Sequence, residues 1–117
     1  MSHHIERVNT LIRRELSELI QHELRDPRLD EFVSVTEVET SPDLKTAKVY
    51  VSTMSGQQHK DRILSILSAA AGFLRTGVAQ KTRLRYTPEL IFMWDNSIEH
   101  GEKIQRLIDE VTKENKG

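Results

Sequence analysis

The chain has 117 residues, with 17 Lys and Arg against 18 Asp and Glu, a formal net charge of −1, 37% hydrophobic and 30% charged residues, and no cysteine. That length fits one core and excludes a second domain, and the composition is that of a soluble globular chain rather than a disordered or fibrous one. Without Cys there are no disulfides, no thiolate catalysis and no sulfur-ligated metal, and the near-neutral total does not suggest a nucleic-acid or acidic-membrane partner.

The amino terminus turns amphipathic at once and lacks an apolar signal core, so export is not expected and the cytoplasm is the predicted location. Ile5, Val8, Ile12, Leu16, Leu19 and Leu24 recur at mostly helical steps, with Arg7, Arg13, Arg14 and Glu18 between them, which predicts an amphipathic helix over roughly residues 3 to 25. Pro27 ends it, because proline cannot continue the ladder and disfavours helical geometry at Asp26. Two β-rich runs follow, Phe32 to Val38 and Ala47 to Thr53, joined by the turn-prone Ser41-Pro42-Asp43, and predict a hairpin. In the second run Ala47, Val49 and Val51 share one face while Lys48, Tyr50 and Ser52 share the other, the alternation of a sheet covered on one side.

From Gln58 to Ala79 the pattern is helical through Ile63, Leu67, Ala70, Leu74 and Val78, with Gly72 predicting a bend near Ala70-Ala71-Gly72. The longest nonpolar stretch, Ala69 to Leu74, is far too short for a membrane span. After Pro88, Leu90 to Trp94 reads as a third strand; Asn96, with Glu99 behind it, opens a last helix carrying Ile104, Leu107, Ile108 and Val111. The order α-β-β-α-β-α predicts an α+β domain over 1–112, with a three-stranded mixed sheet, helices on one face, and a parallel crossover between the second and third strands. Residues 113–117 form a short polar tail.

Charge is unevenly placed. Residues 1–61 hold 8 basic and 11 acidic side chains and residues 89–117 hold 4 and 7, a net −3 at each end, whereas Arg62 to Pro88 contains no acid and five bases, Arg62, Arg75, Lys81, Arg83 and Arg85. A phosphate responds to that local field rather than to the total. Lys81, Arg83 and Arg85 alternate with Thr82, Leu84 and Tyr86, so an extended chain would point the three charges one way, as a nucleic-acid contact would require. A solvated basic face without a ligand is the competing reading.

Catalytic constellations are missing. His3, His4, His22, His59 and His100 include no i, i+4 zinc pair, and there is no Gly-x-Ser-x-Gly, phosphate-binding loop or Gly-x-Gly-x-x-Gly, so no enzyme, cofactor, metal or small-molecule substrate is predicted. Glu37 and Glu39 share a strand face, which serves a charged sheet surface as well as an acid pair. The glycine-containing signature of a base-stacking sheet is absent, and Phe92 and Trp94 are spaced as core residues.

Several strings, each weak alone, are specific in their order: Ile12-Arg13-Arg14-Glu15-Leu16, Asp26-Pro27-Arg28-Leu29, Val33 to Glu39, Ser41-Pro42-Asp43-Leu44, Ala47 to Ser52, Ala70 to Arg75, Pro88 to Phe92, and Asp95 to Gly101. Together they resemble the bacterial ribosome-binding factor A proteins over nearly the whole chain. The resemblance implies a KH-like domain of type II topology in which Ala70-Ala71-Gly72 stands at the helix junction where ordinary KH domains carry Gly-x-x-Gly. It implies a monomeric factor that binds the immature small ribosomal subunit through its RNA, acts late in RNA processing, leaves before translation and contributes to cold adaptation. Arg75, Lys81, Arg83 and Arg85 are then the leading phosphate contacts, Ala70 and Gly72 shape the junction, and Arg13, Arg14 and Lys48 rank second. Pairing of Arg13 and Arg14 with acids such as Glu18 is the alternative for those two, and a protein-interaction module without RNA contact is the alternative for the whole.

Overall fold

The computed structural model describes residues 2–97. The predicted last helix, including Ile104, Leu107, Ile108 and Val111, and the polar tail 113–117 lie outside the described residues. Helix α1 spans Ser2–His22, strands β1 and β2 span Val33–Thr40 and Thr46–Thr53, helices α2 and α3 span Lys60–Ala69 and Ala71–Lys81, and strand β3 spans Glu89–Trp94. A single 3-10 turn, Gly56–His59, leads into α2.

Helix α1 forms because its apolar positions make one stripe: Val8, Ile12, Leu16, Leu19 and Ile20 are all buried. It ends at His22 rather than near residue 25. The N–H groups of Glu23 and Leu24 both donate to the Leu19 carbonyl, at 2.9 and 2.8 Å, which curls the chain a turn before Pro27 and lays Leu24 against the core. Asp26 then closes the following turn by accepting the Arg28 N–H at 2.9 Å and the Arg28 guanidinium at 2.8 Å.

The sheet order is β1-β2-β3, with β1 antiparallel and β3 parallel to the central β2. Val33, Val35, Val38, Ala47, Val49, Val51, Leu90, Phe92 and Trp94 form its buried face. The three helices among the described residues cover that face: α1 packs on β1, α3 packs on α1 and β3, and α2 packs on β3. This is the mixed three-stranded sheet, helices on one face, of the predicted α+β, KH-like arrangement.

Strand β1 departs from simple alternation. Val35 pairs with Val51 but Glu37 pairs with Tyr50, so Thr36 is an extra residue. Without that bulge Val38 would point to solvent; with it, Val38 returns to the core while Glu37 and Glu39 stay outside. The Thr36 hydroxyl donates to Asp95 Oδ2 at 2.6 Å, fastening the bulge to the residue just past β3.

The helix break falls at Ala70, whose φ and ψ of −91° and 4° lie outside the helical range. The helical stretches on either side meet at 59°. The predicted bend is therefore present, but Gly72 is not its hinge: it is already a helical residue of α3, and open space surrounds the place where its Cβ would be. Gly77 is the glycine that packing demands. A Cβ there would meet the Leu19 δ-carbons at 2.9 Å, so its absence lets α3 lie close against α1.

Candidate nucleic-acid interface

The acid-free stretch loses part of its isolation when the chain folds. Arg62 Nη2 reaches Asp30 Oδ1 at 3.3 Å, and Lys81 Nζ reaches Glu23 Oε1 at 3.1 Å, so two of the five cations are met by acids from the acidic amino-terminal segment. Arg75, Arg83 and Arg85 have no ion-pair partner among the described residues. Arg75 is nevertheless engaged: its Nε and Nη2 donate to the Thr87 carbonyl at 3.1 and 2.8 Å, tying α3 to the start of β3 and leaving its remaining guanidinium donors outward. Arg83 is exposed and unpaired, whereas Arg85 lies over the Tyr86 ring, 5.5 Å from its centroid.

The predicted alternation holds in part. Arg83 and Arg85 are exposed between the half-buried Thr82 and Leu84 in the loop from α3 to β3. Lys81 belongs to the end of α3, and Tyr86 is 64% exposed instead of turning inward.

The remaining candidates separate into distinct surfaces. Ala70 is half-buried against the core and Gly72 is exposed beside it, at the start of a helix with no side-chain cap. Arg14 pairs with Glu15 at 3.5 Å, while Glu18 takes His22 at 3.5 Å, so the pairing alternative holds for Arg14 with a different acid. Arg13 is exposed and lines a shallow groove with Asn9, Thr36 and Glu37. Lys48 stands on the open face of the sheet, opposite the helices and in register between Glu39 and Ile91. The fold therefore does not gather Lys48 with the loop cations.

That open face is poorly suited to stacking bases. Tyr50 is half-buried there, its hydroxyl 3.4 Å from Glu39 Oε2, and burial first, then the charge of Glu39, pushes its pKa up. A phosphate backbone would meet Glu37 and Glu39 on the same face.

Sequence reasoning missed Lys45. Parallel pairing places the first residues of β2 beside those of β3, and the Lys45 carbonyl accepts the Glu89 N–H at 2.9 Å. The hairpin tip thereby reaches Arg75, Tyr86 and Thr87, enclosing an open pocket of about 340 Å³ with Asp43, Leu44 and Lys45. The predicted crossover contained the signal, since it fixes which strand ends are neighbours. Among the described residues no group of three His, Asp or Glu could hold a metal ion.

The ribosome-binding factor A family model matches residues 4–108. The chain belongs to this family. A ribosome-binding factor A of Dehalococcoides mccartyi is 50% identical over 97% of this chain and 96% of its own, and that of Acetivibrio thermocellus is 50% identical over 97% and 92%. The crystal structure of ribosome-binding factor A from Thermus thermophilus superposes with a TM-score of 0.67 at 31% identity, covering 76% of this chain and 93% of that one. A Thermus thermophilus ribosome-binding factor A homology model fitted into a cryo-EM map of a 30S complex superposes with a TM-score of 0.61 at 32% identity, over 75% and 91%.

Proposed function

We propose that this protein is a non-enzymatic assembly factor that binds the immature small ribosomal subunit through its RNA, supports late processing of that RNA and dissociates before translation. The supporting observation is membership of a family of which one relative has been fitted to a 30S complex, joined to a loop in which Arg83 and Arg85 have no acidic partner among the described residues. Arg83, Arg85 and the outward donors of Arg75 serve as phosphate contacts; Lys81 would have to leave Glu23 to join them. Gly72 offers a side-chain-free approach to the uncapped start of α3 for a phosphate or sugar. Arg13 and Lys48 are secondary contacts on other surfaces. The factor acts as a cytoplasmic monomer and is needed most in the cold, when misfolded RNA is slowest to rearrange.

Sedimentation of cell extract tests the reading. The protein should travel with free small subunits and not with translating ribosomes, and a charge-reversed Arg75, Arg83 and Arg85 variant should stay at the top of the gradient. Equal distribution over translating ribosomes would overturn it. A protein-interaction module is favoured by one observation: Phe32 and Met54, 59% and 97% exposed, flank the end of the β1-β2 pair. That reading requires the charge-reversed variant to keep its place on the subunit.

A further inference from the structure

The pocket between the hairpin tip and the α3-β3 loop is built from three separate segments, and each is fastened. The Lys45 carbonyl holds the hairpin to β3 through the Glu89 N–H, and the Arg75 guanidinium holds α3 to Thr87. The tip itself is set by Asp43, whose Oδ1 accepts the Ser41 hydroxyl at 2.6 Å and the Lys45 N–H at 3.0 Å, with Leu44 in the left-handed region at φ 62°. The same contacts, the Ser41 hydroxyl foremost, hold the Asp43 carboxyl below its ordinary range, so it is an anion at neutral pH. A surface of this kind is preorganised, which lowers the ordering cost of binding.

Its chemistry combines an aromatic ring with cations. Tyr86 is 64% exposed and lines the pocket, and Arg85 lies over its ring, so a planar group stacking on Tyr86 would take the face opposite Arg85. Lys45 is exposed with no ion-pair partner among the described residues, and Arg75 keeps outward donors after bonding Thr87. An aromatic platform beside two cations suits one unpaired nucleotide, with its base stacked on the ring and its phosphate between the charges; Asp43 at the rim accepts from a base amino group.

We propose that this pocket takes a single flipped nucleotide of single-stranded RNA, with Tyr86 as the stacking platform and Lys45 and Arg75 as phosphate contacts. It rests on the RNA-binding reading above and adds to it a base-contacting subsite built from other residues than the helix junction at Ala70 and Gly72. Every base has a π-face, so the subsite is tolerant of sequence but demands an unpaired strand.

The test uses the full chain and a mixed-sequence single-stranded RNA of roughly ten nucleotides carrying 2-aminopurine, a length suited to one small domain. Binding should quench the fluorescent base. Tyr86→Phe should retain affinity and quenching, whereas Tyr86→Ala should lose the quenching and about tenfold in affinity, and Lys45→Ala should weaken binding while keeping the quenching. Tyr86 is exposed, so these variants should fold like the parent, which circular dichroism checks. A Tyr86→Ala protein that binds and quenches as the parent does would overturn the pocket and leave the RNA reading standing. A parent that fails to bind the RNA even at low salt would overturn both.

Discussion

Gly77 and Leu19 face each other so closely that a Cβ on Gly77 would lie 2.9 Å from both δ-methyl carbons of Leu19. Leu19 is fully buried, so its methyl groups have little room to retreat. Gly77→Val should therefore destabilise the protein by about 2 kcal/mol, as overpacked cores do. Gly72→Val, placed in open space, should stay within about 0.5 kcal/mol of the parent. Urea midpoints of the two variants check this; a loss of RNA affinity in Gly72→Val at unchanged stability would locate a close RNA approach there.

Salt dependence should report how many cations act. With Lys81 paired to Glu23, Arg75, Arg83, Arg85 and Lys45 remain, and single-stranded RNA binding should weaken with salt at a log-log slope of about −3. Arg83→Ala should reduce the slope by about 0.7, one phosphate's share. Lys81→Ala should lose less affinity than Arg83→Ala and cost under about 1 kcal/mol of stability, the range of a half-exposed ion pair. Titrations at several salt concentrations distinguish the three proteins.

Asp95 gives the fold an acid-sensitive joint. Its carboxyl is held below its ordinary pKa by Ser97 first and the Thr36 hydroxyl second, so the stabilisation is complete above the unfolded value of about 3.9 and is lost as pH falls through the lower folded value. Thr36→Val removes the hydroxyl and should cost about 1 kcal/mol at neutral pH. The gap between parent and variant should narrow in acid, because the parent has more of this stabilisation to lose. Chemical denaturation at pH 7 and near pH 3 measures both.

Thr40 is 6% exposed, and its hydroxyl is buried with no hydrogen-bond partner among the described residues. Its backbone N–H is satisfied by Asn9 Oδ1 at 2.9 Å, a bond that valine at position 40 leaves intact. Thr40→Val should thus stabilise the protein by up to about 1 kcal/mol by removing an unpaired polar group. An unchanged or lowered thermal midpoint would contradict this.

Elements governed by local pattern were legible in the sequence: the α1 stripe, the Ser41-Pro42-Asp43 turn, the inward Ala47, Val49 and Val51, and the core spacing of Phe92 and Trp94. What escaped depended on distant partners. Thr36 reads as an ordinary strand residue, and only the register against β2 makes it a bulge. Gly72 drew attention through its helix propensity, whereas the need for Gly77 comes from Leu19, on another helix. The charge of the Arg62 to Pro88 segment was read correctly along the chain, yet Glu23 and Asp30 offset two of its cations in space. The family resemblance, carried by many short strings together, was fully legible.

The parallel pairing of β2 with β3 also bears on when this molecule becomes competent. Strands β1 and β2 close through a tight turn, whereas α2 and α3 lie between β2 and β3 in the chain, so that second pairing closes a much longer loop. Local contacts form faster than those that close a long loop, so the hairpin should precede β3. Lys45 can then be in place early, while Tyr86 and Arg85 reach it only when β3 docks. In refolding experiments a signal from the hairpin should rise before RNA affinity does, making the grip on RNA the last property a newly made chain acquires.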